Sequence, residues 1–187
     1  EVPRYYVCNA YGVCGIYSAP GTAVKEAYDT SGIVTNDRGV TVWLKGNRVS
    51  RNQIMAIKEE SVTEQKNSLA VCLDNILRHA GITRNTEYDL AQGKTATTIL
   101  SENMTGVQVL DLSGCTLDAV LYYVNQDIPV LAILEDGEAV LVTGFNEFNV
   151  VIMEPATGKL YKKGMNDATA WFAENGNHFI TYMRTEN

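Results

Sequence analysis

Two glutamates flank a predicted pair of strands in the last third of this 187-residue chain. The segment "DGEAVLVTGFNEFNVVIMEPATGK", residues 136–159, consists of two apolar runs with a turn between them. Glu138 precedes the first run and Glu154 follows the second. In hydrolases with a catalytic triad, a base and the group that orients it can occupy such strand ends. The placement of the two acids therefore raises the question of a hydrolase site.

Two other uses of paired acids carry less support from the sequence. Glu138 and Glu154 could form the carboxylate pair of a glycosidase, but no cluster of aromatic residues surrounds either acid. Oxygens from "EDGE", residues 135–138, could bind Ca²⁺, but the D-x-D-x-D-G pattern of a calcium loop is absent. We therefore do not expect a metal or a cofactor at these acids.

The chain also contains cysteines and histidines that a nucleophilic site could use. Cys72 lies on the apolar stripe of a predicted helix, which favours a core position. Cys115 follows Ser113, the predicted cap of a second long helix, where the helix dipole could activate a thiol. His79 lies near the C-terminal end of the first of these helices, and a favourable contact with that end of the dipole is the simpler interpretation. His178 begins the last predicted strand, and no acid follows it at the spacing of a triad.

Composition excludes several classes of function. The net charge of −7 argues against nucleic-acid binding, which needs clustered Lys and Arg. The longest apolar run, "IPVLAIL", has the length of a strand and is too short for a membrane span. Four cysteines without a Cys-x-x-Cys pair, together with two histidines, argue against a zinc site. Because the chain begins Glu-Val-Pro, we expect it to be a piece of a longer protein whose signal or anchor lies elsewhere.

Residues 1–60 predict a small β-β-α-β-β module. "RYYVCNAYGVCGIY" indicates a hairpin in which Cys8 and Cys14 could face each other. A disulfide between them is possible, but two unbridged small residues are the favoured interpretation because such cross-strand bridges are strained in the wrong register. A helix between Pro20 and Gly32 and a second hairpin around "NDRG" complete the module.

Residues 61–187 predict helices followed by a mostly antiparallel sheet, which is an α+β pattern. In "TEQKNSLAVCLDNILRHAG" one apolar stripe recurs at helical spacing, with Thr63 as the expected cap and Gly81 as the end. The stripe consists of Leu69, Cys72, Leu73, Ile76 and Ala80. Two short helices, a strand and a second long helix follow, and then four strands, a helix and a last strand.

This second part resembles the papain-like cysteine peptidases that process double-glycine bacteriocin leaders. The helix of that family opens with a pattern like D-C-G-P-A and closes on a glycine, and Gly81 in "NSLAVCLDNILRHAG" matches that end. Counting back from Gly81 places the family's nucleophilic cysteine on Ser68 and the preceding Asp on Asn67. The family's glycine and proline then fall on Leu69 and Ala70.

The hairpin carries the more specific part of the resemblance. The family's catalytic strand reads roughly G-H-A-V-L-V-T-G-Y, and here the sequence is "GEAVLVTGF", so the base falls on Glu138. The next strand ends in Asp-Pro in the family and in "EP" here, so the orienting Asp falls on Glu154. "NQDIPVLAIL" is similar to the family's preceding strand. The first 60 residues are similar to a small module fused to such domains in secreted bacterial proteins.

The resemblance implies a papain-like fold whose three catalytic positions have all changed. A carboxylate is a weak base unless burial raises its pKa, and a second carboxylate repels the first instead of orienting it. We therefore expect a catalytically inactive domain that binds a peptide or protein partner at the outside of a bacterium. The alternative is an active hydrolase that uses Ser68 or Cys115 as its nucleophile.

Overall fold

The computed structural model describes residues 2–45 and 67–185. In the first range, two hairpins flank one helix, as the sequence predicts. The elements are β1 (Tyr5–Cys8), β2 (Cys14–Tyr17), α1 (Pro20–Thr30), β3 (Ile33–Thr35) and β4 (Thr41–Leu44). The strands form one antiparallel sheet in the order β2-β1-β3-β4. The predicted boundary near residue 60 and the predicted cap Thr63 lie outside the described residues.

The second range contains the helices first and most of the strands later, and this α+β order is the predicted one. The elements are α2 (Ser68–His79), α3 (Glu87–Ala91), α4 (Ala96–Asn103), β5 (Val107–Asp111), α5 (Leu117–Val124), β6 (Val130–Ile133), β7 (Ala139–Phe145), β8 (Asn149–Met153), β9 (Leu160–Gly164), α6 (Met165–Glu174) and β10 (His178–Arg184). Six strands form an antiparallel sheet in the order β5-β10-β6-β7-β8-β9. Strand β7 is buried along its whole length because α2 and α5 pack against it.

Helix α2 is more deeply buried than its apolar stripe predicts. All residues from Ala70 to Leu77 are buried, including the polar pair Asp74 and Asn75. The carboxylate of Asp74 accepts hydrogen bonds from the backbone and side chain of Thr86 at 2.8 and 2.7 Å, which offsets the cost of its burial. At the two ends of the stripe, Leu69 is only partly buried and Ala80 is exposed at the C-terminal cap.

The cap of the second long helix also differs from the prediction. Helix α5 begins at Leu117, and its N-cap is Thr116, whose Oγ1 accepts a hydrogen bond from the backbone N–H of Ala119 at 3.4 Å. Ser113 instead donates its hydroxyl to the carboxylate of Asp111 at the end of β5. Ser113 and Thr116 both carry a hydroxyl shortly before this helix, and the local sequence did not decide which of them would be the cap.

The cysteines of the first hairpin are joined in the structure. Cys8 and Cys14 are directly opposite each other in the β1–β2 ladder, their Cα atoms are 4.1 Å apart, and their sulfurs form a disulfide. The sequence favoured two unbridged residues. That preference was wrong because the sequence alone does not give the register that places Cys8 opposite Cys14. Asn9 supports the turn that the bridge closes, since its Oδ1 accepts hydrogen bonds from the backbone N–H groups of Tyr11 and Val13 at 2.9 and 3.1 Å.

One hydrophobic core joins the two sheets. The indole Nε1 of Trp43 donates to the carbonyl oxygen of Ala119 at 3.0 Å. The hydroxyl of Tyr123 donates to the carbonyl oxygen of Val42 at 2.8 Å. Both bonds are buried and both link β4 to α5. The N-terminal module therefore completes the packing of the larger sheet's helices. Within the described ranges, no helix has the length and apolarity needed to cross a membrane.

Candidate functional site

Ser68 is the first residue of α2, and the start of this helix meets the start of β7. The Oδ1 atom of Asn67 accepts a hydrogen bond from the backbone N–H of Leu69 at 2.9 Å, so Asn67 is the helix cap. The Oγ atom of Ser68 accepts a hydrogen bond from the backbone N–H of Ala139 at 2.9 Å. A position at a helix N-terminus with a backbone donor pointing at its side chain favours a negatively charged nucleophile. A serine hydroxyl occupies it here.

Glu138 lies directly before Ala139, so its backbone is adjacent to the Ser68 hydroxyl. Its N–H donates to the carboxylate of Asp136 at 2.9 Å, and its carbonyl accepts from the N–H of Leu134 at 2.8 Å. These bonds hold the "EDGE" turn between β6 and β7. The side chain of Glu138 is exposed to solvent.

Glu154 lies directly after β8 and is also exposed. Leu141 pairs with Met153 in the β7–β8 ladder. Extending this register by one residue beyond the end of β8 places Glu154 opposite Val140 of β7. Glu138 lies two residues before Val140, and side chains two residues apart on one strand share a face. Glu138 and Glu154 therefore lie on the same face as diagonal neighbours. Such neighbours are typically about 7–8 Å apart.

The structure thus brings the three sequence-predicted positions to one place without joining their side chains. Ser68 contacts the backbone that carries Glu138, and Glu154 lies on the neighbouring strand end. Within residues 2–45 and 67–185, no hydrogen bond connects the side chains of these three residues. The hydroxyl of Thr157 contacts the carboxylate of Glu154 at 3.4 Å. Partial burial is the main cause that raises the pKa of the nearby Tyr161, and the negative charge of Glu154 raises it further.

Neither free cysteine has the surroundings of a nucleophile. Cys115 is 1% exposed and its thiol donates to the carbonyl oxygen of Gly21 at 3.3 Å. Burial raises the pKa of Cys115 to about 12, so its thiolate is not populated at neutral pH. The predicted activation by a helix terminus is therefore overridden by desolvation. Cys72 is fully buried in the core, as predicted, and burial raises its pKa as well.

The histidines lie away from Ser68. His79 is the last residue of α2, as predicted, and its Nε2 lies 3.2 Å from the carbonyl oxygen and 3.6 Å from the carboxylate of Asp127. His178 begins β10 and pairs with Ile133, which pairs in turn with Ala139. Two strand spacings of about 4.8 Å therefore separate the backbone of His178 from that of Ala139, beyond the reach of a hydrogen bond.

The described part of the chain contains no group of three or more His, Cys, Asp or Glu side chains arranged to hold a metal ion.

Sequence reasoning missed two features of the site. It did not identify Asn67 as the cap of α2, although an Asn directly before an apolar helix is a typical signal. It also missed the Ala139 N–H as the partner of Ser68, and no local signal could have found a contact across 71 residues.

Comparison with solved structures identifies the fold. The chain is similar to the crystal structure of a candidate C39-like peptidase from Bacillus anthracis, with a TM-score of 0.60 and 12% sequence identity. The match covers 73% of this chain and all of the other chain. Neither a protein-family model nor a curated protein matches the sequence. At this identity the likeness establishes the fold, and the chain is α+β with a C39-like, papain-like peptidase architecture.

Proposed function

We propose that this chain is a catalytically inactive peptidase-like domain whose cleft binds a peptide or another protein. The observation that carries the proposal is the placement of Ser68. It stands at the start of the central helix, beside the start of β7, where the resemblance puts a nucleophilic cysteine. Directly before the adjoining strand β7, Glu138 carries a carboxylate where the resemblance puts an imidazole. Without a group that removes its proton, a serine hydroxyl is a poor nucleophile.

We also propose that the domain acts at the outside of a bacterium. Two observations support this location. The disulfide between Cys8 and Cys14 is a kind of bond that persists in oxidising compartments and is rare in the cytosol. The similar structure comes from a bacterium. The family resemblance of the sequence points in the same direction.

Peptidase assays test the loss of catalysis. We expect no cleavage of double-glycine leader peptides or of casein-type substrates, because loss of even one triad member costs several orders of magnitude in rate. The matched control is Ser68→Ala, which removes the hydroxyl and leaves the helix. Turnover in the parent protein that disappears in Ser68→Ala would show that the alternative, an active serine hydrolase, is correct. A serine-directed covalent probe followed by mass spectrometry gives a second readout that does not depend on the choice of substrate.

Binding is tested at the same cleft. Peptides selected from a displayed library on the parent protein should lose affinity for the double variant Glu138→Arg, Glu154→Arg, because both exposed acids lie on one face beside Ser68. The control is Tyr88→Arg, at an exposed residue on α3. Equal affinity of the selected peptides for all three proteins would place binding elsewhere and contradict the proposal.

A further inference from the structure

The disulfide of the first hairpin lies on the open face of the N-terminal sheet. Along β1, Tyr5 and Val7 are buried on the face that α1 covers, and Cys8 is half-buried on the opposite face. Its partner Cys14 is exposed, as is Ile16 on the same strand. A dissolved thiol can therefore reach the bond from the side of Cys14 without local unfolding of the sheet.

The two sulfurs differ in how an attacking thiolate can approach them. In thiol–disulfide exchange the thiolate attacks one sulfur while the other sulfur leaves, so the approach is in line with the bond that breaks. Cys8 and Cys14 are directly opposite each other, and their bond runs across the strands from β1 to β2. Behind Cys8 lies Ile33, its direct partner on β3 and a side chain of the same face. Behind Cys14 lies the outer side of β2, which pairs with β1 alone among the described strands.

The hairpin has enough other support to stay formed when the bond opens. The N–H of Asn9 donates to the carbonyl oxygen of Val13 at 3.0 Å, and the N–H of Gly12 donates to the carbonyl oxygen of Asn9 at 3.1 Å. Strand β1 also pairs with β3 on its other side. The two thiols of the opened bond therefore stay opposite each other, with their Cα atoms 4.1 Å apart in the closed form, and can close again.

Neither of the other cysteines can exchange with this pair in the folded protein. Cys72 is fully buried and Cys115 is 1% exposed. The thiolate is the attacking species, and a thiol without access to solvent is inert. The bond between Cys8 and Cys14 can thus open and close without rearrangement to a different pair.

We propose that this disulfide is a reversible exchange site for low-molecular-weight thiols, and that the incoming thiol attaches to Cys14. A thiolate attacks Sγ of Cys14, the bond to Cys8 breaks, and its electron pair leaves with Sγ of Cys8, which takes a proton from water. A second thiolate attacks the sulfur of the attached thiol and releases Cys14 as a thiolate, which is also protonated. Two small thiols are thereby oxidised to one small disulfide, and the protein disulfide is reduced to two thiols. A small disulfide reverses both steps.

Exchange of the intact, folded chain with reduced and oxidised glutathione tests the proposal. Acid quenching, alkylation of the free thiols and peptide mapping by mass spectrometry locate glutathione on Cys8 or Cys14. We expect exchange under native conditions and about tenfold more glutathione on Cys14 than on Cys8, because a modest difference between the two barriers gives such a ratio. Circular dichroism recorded during the reaction checks that the fold is retained.

Ile33→Ala and Ile16→Ala form a matched pair of variants. Ile33→Ala shortens the side chain behind Cys8 and should shift the labelling toward equal amounts on the two cysteines. Ile16→Ala shortens an exposed side chain of the same face that lies behind neither sulfur, and it should leave the ratio unchanged.

Three results would overturn the proposal. The first is a disulfide that reacts with glutathione only in denaturant, which would make the bond a purely structural one. The second is equal labelling of Cys8 and Cys14 in the parent protein, or more labelling of Cys8. The third is a ratio that Ile33→Ala leaves unchanged or that Ile16→Ala shifts as strongly.

Discussion

At the scale of single residues, position 68 keeps the surroundings of a reactive group while its own chemistry has changed. Two features of that position favour an anion: the N-terminus of α2 and the backbone N–H of Ala139, 2.9 Å from Oγ. The hydroxyl of Ser68 does not ionise in this setting, so both features remain available to a thiolate. Glu138 and Glu154 would have to change for the environment to become that of a thiolate–imidazole pair.

The triple variant Ser68→Cys, Glu138→His, Glu154→Asp should rebuild such a pair. We expect the pKa of the introduced thiol to fall well below the ordinary value of about 8.5. The N–H of Ala139, the helix terminus and the new imidazolium all stabilise its charged form. The rate of alkylation measured against pH gives this pKa. Peptide cleavage is a poorer readout, because Leu69 and Ala70 replace the family's glycine and proline beside the groove.

The parent protein and the single variant Ser68→Cys are the controls for this experiment. In the parent, Cys72 and Cys115 should stay unreactive until the protein unfolds, because burial raises both thiol pKa values. The single variant should show a smaller shift, since it lacks the imidazolium. An ordinary pKa for the introduced thiol in the folded triple variant would mean that the three positions do not converge.

At the scale of elements, helix α2 positions Ser68 because its own packing is nearly complete. The helix is buried from Ala70 to Leu77, and it contacts β7, β6 and α4. A helix held on several sides cannot rotate, so the residue at its first position keeps a constant orientation toward the start of β7. The buried bonds of Asp74 to Thr86 tie the middle of the helix to the next segment of chain.

Leu73→Ala should therefore be strongly destabilising. Leu73 is fully buried in the central core, and truncation of such a leucine usually costs about 2–5 kcal/mol of unfolding free energy. Urea unfolding of the parent and the variant measures the difference. Leu69→Ala is the matched control, because Leu69 is on the same helix but only partly buried, and its loss should be smaller. A loss below about 0.5 kcal/mol for Leu73→Ala is typical of a surface site and would contradict the core assignment.

At the scale of the whole molecule, the N-terminal module packs tightly against the loop before α5. Gly21, in the first turn of α1, is the closest point of this contact. A Cβ atom at Gly21 would lie 2.7 Å from the carbonyl oxygen of Ser113 and 3.2 Å from that of Asp111. Both are backbone oxygens, one at the end of β5 and one in the loop that follows, and backbone cannot rotate aside as a flexible side chain can. The two parts of the chain are thus fitted to each other at this point and share one core.

Gly21→Ala should destabilise the whole molecule. In most helix positions alanine is favoured over glycine by about 1 kcal/mol, but here the added methyl group collides with backbone, and such overpacking costs about 1–3 kcal/mol. The control is Thr22→Ala at the next, exposed position of the same helix, which should change stability by less than about 0.5 kcal/mol. Thermal unfolding of the three proteins decides the matter. Equal or greater stability of Gly21→Ala would mean that the module does not press against this loop.

The order and type of the elements could be predicted from the residues alone, because apolar periodicity and turn residues are local signals. The two apolar runs also placed Glu138 and Glu154 at strand ends. Ser68 came to the start of a helix only through the family resemblance, because the residues alone favoured Thr63 as the cap. Hydrophobic runs such as "IPVLAIL" and "AVLVTGF" carry enough information for strands, and a glycine such as Gly81 is enough to end a helix.

The contacts between distant residues and their exposure to water depend on the folded chain and could not be predicted locally. The register of β1 and β2 brought Cys8 and Cys14 together, where the sequence favoured two unbridged residues. Burial raised the pKa of Cys115, although the charge of Lys25 and a hydrogen bond with its backbone act in the opposite direction. The bond from Ala139 to Ser68 joins parts of the chain 71 residues apart. Desolvation and long-range register depend on the packed whole, so no local pattern of residues encodes them.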